Sequence, residues 1–232
     1  MTASQQPASE RVRVEWRRRT EAEYTSSAIT QHLVLWLIQI GASPDLIRAG
    51  LAIVDDELVH AEMSHQAAVA AGSTTPPRLP RETLCLPRAP EEPLERDVLR
   101  ACVRSFCVGE TLAVPLFSAM RKECSVPVAR ACLDRVLLDE VRHRDFGWTL
   151  IEWLFEACPM GQELREQTRR ELPPYLEMRG RLYTAELERA PMTSDERAWG
   201  LLPHPRYGEI WRRAIERDFR PRFARVGVEL PQ

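Results

Sequence analysis

Two short stretches of this chain carry the same chemically loaded frame. Residues 55–60 read DDELVH and residues 138–143 read LDEVRH, so Asp-Glu-x-x-His occurs at Asp56–His60 and again at Asp139–His143. The chain has five histidines, and this frame takes two of them. On an α-helix, residues three apart share a face, so Glu57 with His60, and Glu140 with His143, each present a carboxylate beside an imidazole. The surroundings are apolar: Ile53, Val54 and Ala61 share the face of Glu57, and Val136, Leu137 and Gly147 that of Glu140. A carboxylate turned into such a face is costly unless positive charge meets it. Glu110, in SFCVGETLAVPLF, and Glu23, on a face with Ser27, Thr30 and Val34, pose the same problem. Four carboxylates and two imidazoles can together neutralise two divalent metal ions. Oxygen-rich donors with two imidazoles suit iron or manganese, and the lack of thiolates argues against structural zinc.

The elements that must position these residues read as helices, with strand signals nearly absent. A first helix is expected over 10–40, ending at Gly41, with Ser43 as N-cap and Pro44 opening the second. The second runs to about Ala71 and closes at Gly72. Residues 72–93, GSTTPPRLPRETLCLPRAPEEP, hold six prolines and read as a long crossover. A third helix follows from about 93 to 122, with Pro115 expected to kink or bulge it. A fourth spans about 126–157. Two short connections flanking one long one give an all-α, four-helix bundle with a single crossover. A Glu from each of two helices plus Glu-x-x-His from each of the other two is the ligand pattern of dinuclear carboxylate bundles. The domain reading is a disordered N-terminus at 1–10, the bundle at 11–157, and a C-terminal helical extension at 158–232. Shorter helices are expected in that extension, punctuated by Pro173-Pro174 and Pro203-His204-Pro205.

The stretches EYTSSAITQHL (23–33), DELVHAE (56–62), CVGETLA (107–113) and DEVRHRDFGW (139–148) resemble the ferritin-like superfamily. That superfamily includes ferritins, rubrerythrins, ribonucleotide reductase small subunits and di-iron hydroxylases, and the chain looks closest to bacterial ferritin-like domain proteins. The resemblance covers roughly residues 15–157. It implies a ferritin-like fold and metal ligands at Glu23, Glu57, His60, Glu110, Glu140 and His143. It also implies that Asp56 serves His143 and Asp139 serves His60 from outside the ligand set. The implied cofactor is two Fe ions, with Mn/Fe or di-Mn as variants.

The remaining candidates read more plainly. Glu21 competes with Glu23 for the first-helix position, but Ser26 and Ser27 leave room beside Glu23. His32 reads as a core or rim residue, His65 and Glu62 as solvated, and Tyr24 points away from Glu23. Phe106, Cys107, Val114 and Phe117 are candidate pocket lining, although Cys107 reads first as a small buried apolar residue. The formal net charge of −2 disfavours a nucleic-acid partner, and the basic run Arg11–Arg19 reads as a solvated face. None of the six cysteines forms a Cys-x-x-Cys pair. The apolar run LVLWLIQI at 33–40 is too short to span a bilayer, so a soluble, cytoplasmic chain is expected, with no membrane partner and a homodimer as one assembly.

Three functions follow. The first is a non-haem di-iron oxidoreductase that uses O2 to oxidise or hydroxylate a small organic substrate, with an external ferredoxin or reductase as electron donor. The second is a ferroxidase. The third is a metal-stabilised interaction protein.

Overall fold

A computed structural model of the protein describes residues 7–185 and 191–231, and these are helical without strands. Helix α1 spans Glu10–Gln39, and the Ser9 side chain caps it by accepting from Val12 N. Helix α2 spans Pro44–Ala70, capped by Ser43, with Pro44 in its first turn. Gly41 and Gly72 follow the two helices at φ +71° and +86°, a left-handed turn that favours glycine. Of the expected disordered N-terminus, residues 1–6 lie outside the described residues. The rest is placed: Ala8 N donates to Ala71 O at 3.0 Å, and Ser9 caps α1. Helices α1 and α2 run side by side, with Ser27 Oγ donating to Val54 O at 3.1 Å. They nearly touch where Gly50 meets Val34; a Cβ at Gly50 would lie 2.7 Å from Val34 Cγ2.

The third rod departs from expectation. It is α-helical over Leu94–Ala101 (α3), π-helical over Cys102–Glu110, and α-helical again over Thr111–Glu123 (α4). The widened segment precedes Pro115, which sits inside α4 and is tolerated there. What meets the π segment is helix α5, Pro127–Glu156, which packs against it, against α4 and against α2. At Gly147 of α5 the backbones almost collide: a Cβ would lie 2.5 Å from Phe106 Cβ and 3.0 Å from Cys107 N. The thiols of Cys102 and Cys107 both donate to Gly147 O at 3.3 Å, pinning the π segment to α5. Helix α3 returns to α1. The rod Leu94–Glu123 is long and apolar enough to cross a membrane by length and composition, a stretch the sequence reading passed over.

The C-terminal part is more regular than expected at its start. Helix α6 runs unbroken over Gly161–Thr184, with Pro173 and Pro174 inside it. Those prolines free the carbonyls of Arg169 and Arg170, two exposed residues whose backbone water can satisfy, while Leu164, Leu172 and Leu176 continue a buried stripe past them. Helix α7 (Ser194–Ala198) opens with a Thr193/Glu196 capping box. Helix α8 (His204–Ala214) follows Pro203 and leads through a π turn at Ile215–Phe219 into α9, Arg220–Arg225. Helix α8 packs on α4 and α6. Phe223 meets Trp148 edge-on at 4.8 Å, and Trp148 Nε1 donates to Thr111 Oγ1 at 3.0 Å. Trp16 Nε1 donates to Trp199 O, and Arg19 Nη2 to Gly200 O at 2.9 Å. Arg19 is therefore buried, contrary to the solvated basic face expected of residues 11–19.

Candidate metal centre

Three long helices and the end of the π segment bring the six candidate ligands together. Glu23 comes from α1, Glu57 and His60 from α2, Glu110 from the last π residue, and Glu140 and His143 from α5. They form two triads, Glu23–His60–Glu140 and Glu57–Glu110–His143. Within each triad one ligand atom per residue lies within 4.8 Å of the others. The imidazoles of the two triads face each other with ring centroids 5.7 Å apart. Both histidines are fully buried, and Glu57 and Glu140 nearly so.

Each imidazole is held by its far nitrogen. His60 Nε2 lies 3.0 Å from Asp139 Oδ2, and His143 Nε2 lies 3.3 Å from Asp56 Oδ2. These are the two cross-helix pairings that the resemblance implied. An aspartate at Nε2 favours the N–H there; the neutral imidazole then turns its Nδ1 lone pair to the cluster, and the protonated one turns an N–H toward Glu57, whose carboxylate lies 3.6 Å from His60 Nδ1 and 3.4 Å from His143 Nδ1. Sequence reading missed what holds the aspartates. Arg135 donates to Asp139 and, at 3.1 Å, to Asp56; Arg142 donates to Asp56 at 3.0 Å and to Asp139. The two arginines thus cross-link the paired aspartates of α2 and α5. Burial raises the Asp139 carboxyl, but Arg135, His60 and Arg142 together hold it below the usual range. The i,i+4 spacing of Arg135 and Asp139 was a readable signal; the reach to Asp56 needed the fold. Arg144 pairs with its neighbour Asp145 and stays out of this network.

The carboxylates divide by environment. Burial pulls Glu57 upward, but the facing imidazoles of His143 and His60 outweigh it and hold its pKa at about 2. Ser26 Oγ donates to Glu57 Oε1 at 2.9 Å, so the serine after Glu23 orients the carboxylate of the next helix. Burial, then the charge of Glu57, pushes Glu23 well above the usual carboxylate range. Burial, then Glu110, does the same to Glu140, and burial raises Glu110 itself. Burial lowers His143, but Glu57 more than offsets this and raises it.

Of nine buried side-chain atoms without a hydrogen-bond partner among the described residues, four belong to this cluster: Glu57 Oε2 and His60 Nδ1, which lie 3.6 Å apart, with Glu140 Oε2 and His143 Nδ1. Buried polar atoms are seldom left unpaired, because each costs about 1–3 kcal/mol. Here four of them, all good ligand atoms for a hard or borderline cation, converge in one place. The donor set therefore fits a pair of divalent ions.

The other candidates fall outside the cluster. Glu21 accepts from Arg78 N at 2.7 Å, and Glu62, His65 and Tyr24 are exposed. His32 Nδ1 accepts from Leu86 N at 2.9 Å. Phe106 packs edge-on against Phe146 at 5.0 Å, and burial holds the Cys107 thiol well above its usual pKa. Val114 and Phe117 are half-buried on α4. The larger described hollows are lined by none of these four pocket candidates. No family model matches the chain, and neither the curated proteins nor the solved structures contain a match to it.

Proposed function

We propose that Glu23, Glu57, His60, Glu110, Glu140 and His143 hold a dinuclear iron centre in a ferritin-like four-helix bundle, and that the protein is an O2-using oxidoreductase acting on a small organic substrate. The observation that carries the reading is the convergence of the four orphaned atoms Glu57 Oε2, Glu140 Oε2, His60 Nδ1 and His143 Nδ1. Bound iron would supply the electrons and open coordination positions that O2 chemistry needs.

The chain's own residues supply the rest. Asp56 and Asp139 accept from Nε2 of the two imidazoles, and Arg135 and Arg142 hold both aspartates in place by ion pairs. Glu57, a member of one triad, is charged and also faces the histidine of the other, with His60 Nδ1 at 3.6 Å and His143 Nδ1 at 3.4 Å. Burial biases Glu23, Glu110 and Glu140 toward the protonated form, so a cation entering the site would displace protons from it. Phe106, one turn before Glu110, is buried, while Glu110 itself is partly exposed. Arg135 and Arg142 are partly exposed, but their pairing with Asp56 and Asp139 leaves this face of the site without net positive charge.

Expression with iron, followed by metal analysis, is expected to give two Fe per chain. No metal, or a single zinc, would end the reading. If the protein instead oxidises many Fe(II) per chain and retains them, iron is its substrate and the oxidase reading fails. A second test bears on the aspartates. Asp139→Asn removes the charge that orients His60, and Co(II) affinity, followed by its visible absorbance, is expected to fall about 10–100-fold. Unchanged affinity in that variant would remove Asp139 from the site.

A further inference from the structure

A second cavity lies on the outer side of the same rod and shares no residue with the carboxylate–histidine cluster. It has a volume of about 400 Å3 and lies between the C-terminal turns of α1, the crossover loop and the start of the third rod. Small-molecule sites typically span about 300–1,000 Å3. Trp36, Leu86, Pro87 and Ala101 give it an apolar side. Its charged lining is three arginines, Arg88, Arg100 and Arg104, against one acid, Asp97.

The loop side is latched. Leu86 N donates to His32 Nδ1, whose ring tilts against Trp36 at 4.7 Å. Arg88 donates to Asp97 at 2.5 Å and to Glu92 O at 2.7 Å. Arg100 is likewise committed to Asp97 and Glu171, at 2.8 and 3.3 Å. Arg104 differs. It is exposed, its guanidinium sits 5.4 Å over the Tyr175 ring, and among the described residues it has no ion pair. Tyr175 Oη also donates to Arg104 O at 3.4 Å, which steadies the backbone beneath it. Tyr175 lies outside the cavity's lining, so Arg104 stands at the cavity's edge, and its guanidinium, without an ion pair, is suited to a planar two-oxygen anion.

We propose that this cavity binds a small monocarboxylic acid, its apolar body against Trp36, Leu86, Pro87 and Ala101 and its carboxylate on Arg104. Asp97, Glu92 and Glu171 neutralise Arg88 and Arg100, so the unpaired Arg104 alone selects the anion, and the cavity's size admits a molecule of one or two rings. The proposal is independent of the metal reading and is tested on the full-length chain without metal, so each can fail alone.

The test is calorimetric titration with 2-naphthoate and with 2-naphthalenemethanol, which match in shape and differ in charge. The acid is expected to bind at least tenfold more tightly than the alcohol. Arg104→Ala is expected to weaken the acid at least tenfold and leave the alcohol unchanged, with Arg104→Lys in between. Pro87→Glu, on an exposed loop position, places a carboxylate in the cavity and is expected to weaken the acid to a similar degree. Equal affinity for acid and alcohol overturns the proposal. So does undiminished binding of the acid in Arg104→Ala or Pro87→Glu, or no binding of the acid by the unsubstituted chain at millimolar concentration.

Discussion

Raising the pH of the metal-free protein from 5 to 8 is expected to lower its Tm, and loading it with Fe(II) or Co(II) is expected to remove that fall. The signs follow from the cluster. Glu23, Glu110 and Glu140 are held above the ordinary carboxylate range, and His143 above the ordinary imidazole range. For each, the native chain keeps a proton that the unfolded chain gives up. Their stabilisation is complete below the unfolded pKa and is lost as pH rises through the folded one. Glu57 runs the other way. Its contribution is present above the unfolded pKa and is lost as pH falls through about 2, so it governs the acid limb only. Each extra native proton costs about 1.4 kcal/mol per pH unit, and a chain of this length shifts by about 2–4 °C per kcal/mol. One proton held across the range therefore lowers Tm by on the order of 10 °C. Metal displaces those protons, so it binds more tightly as pH rises and stabilises the native state by mass action. Calorimetric scans at four pH values, with and without metal, decide the matter. A metal-free Tm that is flat or rising between pH 5 and 8 would contradict the assigned protonation.

The second large effect concerns Gly147. Alanine there would put Cβ 2.5 Å from Phe106 Cβ and 2.9 Å from Phe106 C, atoms that cannot rotate away. Overpacking of this kind costs about 1–3 kcal/mol and more where backbone must move, so Gly147→Ala is expected at or above the top of that range. The displaced part is the π segment that carries Glu110, so metal stoichiometry is expected to fall together with stability. Gly109→Ala is the control. Its Cβ meets only Arg104 O, at 3.3 Å, and the change is expected to stay within about 1 kcal/mol. Urea midpoints and metal content for the two variants give the comparison, and equal effects at both positions would refute the close-approach argument.

Much of this arrangement was legible as spacing. Ser9, Ser43-Pro44, Gly41 and Gly72 bound the first two helices because caps and left-handed glycines are local effects, complete within a few residues. The paired Asp-Glu-x-x-His frames reported their shared face for the same reason. Glu23 was separable from Glu21 through Ser26 and Ser27, both of which bond to α2. The rest depended on partners distant in sequence. Pro115 pointed to an irregularity beside Glu110, where the π segment ends, but its reach back to Cys102 and its close contact with α5 at Gly147 were not readable from the proline. Pro173 and Pro174 read as a break, yet α6 continues because Leu172 and Leu176 bury on one side while the freed carbonyls face water. Arg19 read as one charge in a basic run, but its acceptor is Gly200 O, far along the chain. Arg142 was readable, with Arg144, as a salt-bridge partner for the cluster's acids, but Arg135 and the reach of both Arg135 and Arg142 to Asp56 needed α2 and α5 set side by side.

The π segment also has a rotational meaning. A π-helical stretch accommodates an added residue within an otherwise α-helical rod, so the helix beyond it is read at a different angular setting. In α-helical geometry one residue corresponds to about 100° of rotation about the axis. Helices α3 and α4 are therefore one rod at two phases, and Glu110 sits at the seam. Shortening the segment by one residue would restore a single phase and turn Glu110 relative to α3 by that angle, exchanging which side chains face α5. The wide turn thus works as an indexing device: it lets one rod serve the packing of α3 against α1 and the delivery of a carboxylate to the cluster of Glu57 and His143.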